Sequence, residues 1–196
     1  MKRCEWCLNS ELMMEYHDSE WGVPLFDDKK HFEFLSLESA QAGLSWITIL
    51  KKRENYRKAY DDFNPEKVAL YDEKKKEELL ANAGIVRNKL KIAASITNAQ
   101  KFLEIQKEFG SFSNYIWGFT DGKTIIGNWK NIQEIPTKTE LSDKISSDLK
   151  KRGFKFLGSV TVYSYLQAIG IVNDHLMDCF RYEEIKQLPS YKDKKD

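Results

Sequence analysis

The soft metal ligands of this sequence are gathered at its two ends. Cys4, Cys7, His17 and His31 lie near the start, and His175 and Cys179 near the finish. His175 and Cys179 are four residues apart, a spacing that on a short helix puts both side chains on one face. Zinc prefers Cys and His, and a structural site takes four protein ligands and leaves no position for water. Two ligands from each end would complete such a site. They would also tie down a loop spanning nearly the whole chain, whose closure carries an entropic cost. Cys4-x-x-Cys7 has ligand spacing too, so Cys4, Cys7, His175 and Cys179 form a competing set, and a group of ordinary buried thiols is the plain alternative. His31 stands in a polar helix start and is expected to be solvated.

A second constellation surrounds an acid. Glu38 lies in Phe34-Leu35-Ser36-Leu37-Glu38-Ser39-Ala40-Gln41-Ala42, with Phe34 and Gln41 on neighbouring turns of the same face. A carboxylate facing inward there needs donors from protein or ligand. Gly43-Leu44-Ser45-Trp46 follows at once, and Trp6, Tyr16 and Trp21 add aromatic surface. Planar rings beside a carboxylate suit a flat, cationic, hydrogen-bonding ligand. A ring-methylated purine is one.

Helical spacing dominates the elements that must position these groups, and no run of strict two-residue alternation stands out. Ser10 is placed to cap a first helix that Gly22 and Pro24 stop. Asp27 or Asp28 caps a second over about residues 29–42, ended by Gly43, and Ser45 caps a third carrying Trp46. Asn64-Pro65 and Asp72 open two short helices. Residues 120–136 read as loop. Thr137 and Glu140 have capping-box spacing before a helix ending at Gly153. Ser159 opens another, closed by Gly170, and Asn173 or Asp174 caps a last short helix through Cys179. The expectation is an all-α fold: one domain over 1–185, with two helical lobes, and a loose polar tail over 186–196.

Between two of these helices lies Asn82-Ala83-Gly84-Ile85-Val86-Arg87, which has the look of a helix-hairpin-helix. Gly84 would let the backbone approach a phosphate, amides at the next helix start would bind it, and Arg87, Lys89 and Lys91 would add charge. Lys150-Lys151-Arg152 with Lys155 is a second basic run, equally explained by the dipole of the helix it ends.

Bulk properties narrow the class little. Lys+Arg is 31 against Asp+Glu 30, so strong overall basicity does not mark a nucleic-acid binder here, and local clustering must decide. No stretch is long and apolar enough for a membrane helix, and the N-terminus lacks a signal-peptide core, so a cytoplasmic monomer is the default expectation.

Taken together, several segments resemble the 3-methyladenine DNA glycosylase I family. They are Arg3-Cys4-Glu5-Trp6, Tyr16-His17-Asp18-Ser19-Glu20-Trp21-Gly22-Val23-Pro24, Leu37-Glu38 with Gln41-Ala42-Gly43-Leu44-Ser45-Trp46-Ile47-Thr48, Leu50-Lys51-Lys52-Arg53-Glu54-Asn55-Tyr56, Lys150-Lys151-Arg152-Gly153-Phe154-Lys155-Phe156, Val172-Asn173-Asp174-His175 and Cys179. The likeness runs in order from about residue 3 to 180. It implies the helix-hairpin-helix DNA glycosylase fold and one structural zinc held by Cys4, His17, His175 and Cys179, with Cys7 an extra thiol. It implies a base pocket of Glu38, Tyr16 and Trp46 with Trp6 and Trp21 close by, and a Gly43–Leu44 loop pressed into the gap left by a flipped base. The implied activity is hydrolysis of the N-glycosidic bond of 3-methyladenine in alkylated double-stranded DNA, releasing 3-methyladenine during base excision repair. Met13 stands where many relatives carry tyrosine. No Asp or Glu occurs from Asn82 through Leu103, where many hairpin glycosylases place a catalytic Asp, so a monofunctional hydrolase is expected. A non-catalytic DNA-binding module, which needs neither Glu38 nor Trp46, and a zinc hydrolase with an open metal position are the rival readings.

Overall fold

The structure, a computed structural model, describes residues 1–191. Ten α-helices follow one another in these residues: α1 (Glu11–Ser19), α2 (Asp28–Gln41), α3 (Trp46–Ala59), α4 (Pro65–Val68), α5 (Glu73–Ala81), α6 (Lys89–Phe109), α7 (Phe112–Gly118), α8 (Glu140–Lys151), α9 (Ser159–Ala168) and α10 (Phe180–Lys186). The molecule is mostly helical, as expected. Two strands of two residues were not foreseen: β1 (Ile125–Ile126) pairs in parallel with β2 (Val172–Asn173). Elements this short leave no period-two signal in a sequence.

Helix starts follow the capping rule. Asp27, Asn64, Asp72 and Asn88 each accept a hydrogen bond from a first-turn amide of α2, α4, α5 and α6. The capping box before α8 is formed by Thr139 and Ser142, not by Thr137 and Glu140, because the helix begins two residues later than Thr137 would place it. Gly110 ends α6 in the left-handed conformation, φ +81°.

α2 is the axis of the fold. Phe32, Leu35 and Leu37 are wholly buried, and the helix packs against α3, α6, α7 and α9. A helix buried on most of its faces is expected to be apolar all round. Glu38, near its C-terminal end, breaks that rule. Truncating Leu35 to Ala would cost about 2–5 kcal/mol.

Two expectations are corrected. His31 is not solvated: it is fully buried, with Nδ1 2.7 Å from the Tyr165 hydroxyl, and burial holds its pKa down at about 4. The polar helix start misled because α9 and α7 cover that face. The helix expected through Cys179 is also absent. Its residues form β2 and then a turn in which the Cys179 amide donates to the Leu176 carbonyl (2.8 Å), and α10 begins only at Phe180. Asp174, offered as a cap, instead takes donors from Trp129, Tyr163 and Gln167. Within the tail expected to be loose, Tyr191 stacks on Trp117 with 7° between ring planes; residues 192–196 lie outside the described residues.

Candidate active site and metal centre

Six segments enclose a cavity of about 310 Å³. The N-terminal segment and α1 bring Trp6, Met13, Tyr16 and Trp21, α2 brings Glu38 and Gln41, and α3 brings Trp46. All five residues expected at the pocket, Glu38, Tyr16, Trp46, Trp6 and Trp21, line this one cavity, although they come from four parts of the chain. Met13 takes its place in the wall where a tyrosine was the family expectation. Two walls were missed: residues 132–137, and Tyr163, Ser164 and Gln167 of α9. The i,i+4 pairing of Tyr163 with Gln167 put both on one helix face, but nothing in the sequence showed which partner that face meets.

The rings are locked against one another. Tyr16 and Trp46 lie 5.4 Å apart at 51°, and Trp6 and Trp21 5.0 Å apart at 72°. Asp174 stiffens the α9 wall. It is buried, accepts from Tyr163 (2.5 Å) and Gln167 (2.8 Å), and accepts from Trp129 with its other oxygen (2.7 Å). Gly127 is needed beside it, since a Cβ there would fall 2.5 Å from the Asp174 carboxylate.

Glu38 is 4% exposed, and its Oε2 has no hydrogen-bond partner among the described residues. Burial pushes its carboxyl up to about 8. No cation among the described residues relieves it: Arg53, buried on α3, donates to Glu33 (2.6 Å) and Glu20 (2.7 Å) instead. Trp46 Nε1 is a second buried polar atom without a partner. Native interiors leave few such groups, and two of them on residues lining one cavity point to a ligand there. The Tyr16 phenol is held well above its ordinary range, by burial first and then by Glu38 and Glu20, and so remains a donor.

A smaller hollow of about 120 Å³ shares Glu38, Gln41 and Ser164 with the cavity and opens past Gly43 and Leu44. Gly43 has φ +80°, and Leu44 is 40% exposed. Lys91 of α6 reaches across to donate to the carbonyls of Ala40 (2.8 Å) and Ala42 (2.6 Å), so the loop is held from below.

The turn between α5 and α6 sits on α3. Val86 N–H donates to the Tyr56 hydroxyl, and Lys52 to the Ala83 carbonyl. Gly84 is also favoured by close packing within the turn. Its amide already donates to Asn82 Oδ1 (2.8 Å), and a Cβ would meet Asn55 at 3.0 Å. At the start of α6 the amides of Leu90 and Lys91 are taken by the Asn88 cap. Arg87 is exposed. In the second basic run Arg152 is spent on Glu108 and Asp148.

The candidate metal ligands converge despite the missing helix. Cys4, His17, His175 and Cys179 are all buried, and their ligand atoms lie within 4.8 Å of one another. Cys179 Sγ is 3.5 Å from His17 Nε2 and 3.6 Å from His175 Nδ1, and Cys4 Sγ is 3.8 Å from His175 Nδ1. Tetrahedral zinc with its usual bond lengths needs sulfur–nitrogen edges of about 3.6 Å. The outward nitrogens are also engaged: His17 Nδ1 meets Asp18 (2.8 Å), and His175 Nε2 meets the Trp21 carbonyl (3.0 Å). Both rings thus present a lone pair to the centre, which suits a metal ion. Cys7 stands outside the group, its thiol donating to the Cys4 carbonyl.

Solved structures with this fold are known. The 3-methyladenine DNA glycosylase I from Staphylococcus aureus superposes with a TM-score of 0.89 at 41% identity, covering 93% of this chain and 97% of that one. The Y16F variant of a 3-methyladenine DNA glycosylase I, in complex with 3-methyladenine, superposes with a TM-score of 0.90 at 40% identity, covering 93% and 98%. By sequence, DNA-3-methyladenine glycosylase 1 of Escherichia coli (strain K12) is 47% identical over 182 residues, 93% of this chain and 97% of the relative. The methyladenine glycosylase family model matches residues 6–182, and the chain belongs to that family.

Proposed function

We propose that the protein is a monofunctional DNA glycosylase that hydrolyses the N-glycosidic bond of 3-methyladenine in alkylated double-stranded DNA, acting as a cytoplasmic monomer. Membership of the family and likeness to relatives named for this activity support the reading. The observation that carries it is Glu38: a buried, unpartnered carboxyl among aromatic rings, beside a loop that ends in an exposed leucine.

The target base must leave the stack to reach such a pocket, at a cost of a few kcal/mol. Leu44 on its Gly43 hinge fills the gap, and Arg87 with the α5–α6 turn holds the backbone. Trp46 stacks on the extrahelical base, Glu38 accepts from its N–H groups, and Tyr16 adds a hydroxyl contact. Selectivity follows from charge. In DNA, 3-methyladenine is cationic and adenine is neutral, and a carboxylate beside ring faces favours the cation. The bond from sugar C1′ to the base nitrogen breaks with its electron pair going to the base, which departs neutral. Water adds to C1′ and loses a proton, leaving an abasic sugar. The good leaving group reduces the demand for a catalytic acid, in keeping with the absence of Asp and Glu from Asn82 through Leu103.

The Cys4–His17–His175–Cys179 group is inferred to hold one structural zinc. Four protein ligands leave no open position, so the ion clips the N-terminal segment, which carries Trp6, to the turn after β2. The activity is tested by incubating methylated duplex with the protein and identifying the bases released: free 3-methyladenine is expected, and its absence with DNA still bound would favour a binding module.

A further inference from the structure

The α9 wall of the cavity carries a polar group whose orientation the protein dictates. Gln167 is half-buried and borders the cavity beside Tyr163. Both side chains end on Asp174, which is 1% exposed. Asp174 Oδ2 accepts from the Tyr163 hydroxyl (2.5 Å) and from Gln167 Nε2 (2.8 Å), and Oδ1 accepts from Trp129 Nε1 (2.7 Å). Three donors on two oxygens describe an acceptor-only carboxylate. A carboxylate has no proton to offer, so the Gln167 amide must turn its NH2 group to Asp174 and its carbonyl away. Oε1 has no partner among the described residues yet is not sealed off, and the open space beside Gln167 is the cavity.

The main chain of Gln167 is fixed as well. Its carbonyl accepts from the amides of Gly22 (3.1 Å) and Gly170 (3.3 Å). A Cβ on Gly170 would fall 2.6 Å from the Gly22 carbonyl oxygen, so the end of α9 is pressed on the segment that carries Trp21. Tyr163 gives its one hydroxyl proton to Asp174 and keeps only lone pairs. The cavity therefore holds two held-open acceptors on different walls, Glu38 on α2 and the Gln167 carbonyl on α9. An exocyclic amino group, with two N–H bonds, satisfies both. An oxo group in its place sets oxygen against oxygen and leaves both acceptors unpaired.

We infer that Gln167 is a specificity-determining residue and Asp174 the residue that positions it. Gln167 Oε1 accepts one N–H of the 6-amino group of the extrahelical base while Glu38 accepts the other, and 6-oxo purines are excluded. The inference rests on the glycosylase reading and deepens it, by naming what separates adenine-type lesions from 6-oxo ones.

Free 3-methyladenine and 3-methylhypoxanthine test it, because the second has an oxo group where the first has the amino group. Their affinities are measured by tryptophan-fluorescence titration, with Tm alongside. The parent is expected to favour 3-methyladenine about a hundredfold or more. Gln167→Leu should weaken 3-methyladenine binding roughly tenfold and leave 3-methylhypoxanthine binding nearly as it was, so that the ratio narrows. Asp174→Asn keeps the shape but both donates and accepts, so the Gln167 amide is free to reverse, and the ratio should narrow there too. If Asp174→Asn fails to fold, Gln167→Leu and Gln167→Met carry the test. Variants that lower Tm and weaken both bases alike, with the parent's ratio kept, would overturn the inference by making the network a purely structural one, and the glycosylase reading would stand. A parent that binds neither base would overturn both.

Discussion

The pocket and the metal centre, joined by the N-terminal segment, treat their polar atoms in opposite ways. At the metal centre every outward ring nitrogen has a partner, Asp18 for His17 and the Trp21 carbonyl for His175. In the pocket, Glu38 Oε2 and Trp46 Nε1 are buried with none. A group whose outward needs the protein meets, and whose inward atoms are spaced for one ion, suits a role in holding the fold together. A group whose needs the protein leaves unmet is kept for something that arrives and leaves. The difference divides the two sites by consequence: damage to the first should be read in stability, damage to the second in chemistry.

The largest effect expected is therefore at the metal centre. Cys179→Ser, or removal of the ion by a chelator, should lower zinc content and depress Tm by roughly 10 °C or more, since metal binding to such a group is folding free energy. Metal analysis and calorimetry check this. A variant that loses metal yet melts normally would break the contrast. If Cys7→Ser loses the metal while His17→Ala keeps it, the ligand set is wrong.

Next comes Glu38→Gln, which should slow single-turnover excision about a hundredfold while leaving the fold intact. The same variant carries a pH signature. The carboxyl titrates at about 8 folded, against an ordinary value of 4.5, so between these values the native state binds more protons than the unfolded one. Its neutral form is tolerated below 4.5, and stability is lost as pH rises from there through 8. Glutamine has no such titration, so the Tm of the variant should gain on the parent across that window. Trp46→Ala should follow, with roughly a tenfold loss in affinity for free 3-methyladenine by fluorescence titration. Lys91→Met should have the smallest effect. It should cost about 1–2 kcal/mol of stability by freeing two carbonyls, and should slow excision more than it weakens free-base binding, because it loosens the Leu44 loop and not the pocket.

The same contrast explains what the sequence disclosed. Helix starts were legible where a side chain meets its own first turn, as at Asp27, Asn64 and Asp72, because that bond is local. Glu38 was legible as an acid placed among apolar and aromatic residues. The α9 wall and residues 132–137 were not, because what they face is set by packing between distant segments. His175 and Cys179 were paired correctly for a wrong reason. Their four-residue spacing suggested a helix, but pairing of β2 with β1 commits the backbone before it, and a turn brings the two side chains together. The likeness of whole segments to one family supplied what local rules could not, namely that ends so far apart meet.

The central claim is that Glu38 is an unpaired buried acid awaiting a hydrogen-bonding base. Isotope-edited NMR titration of its side-chain carboxyl, with and without 3-methyladenine, tests it directly. A pKa near 8 in the free protein that falls when the base binds is the predicted result. An ordinary value near 4.5, unmoved by the base, would contradict it.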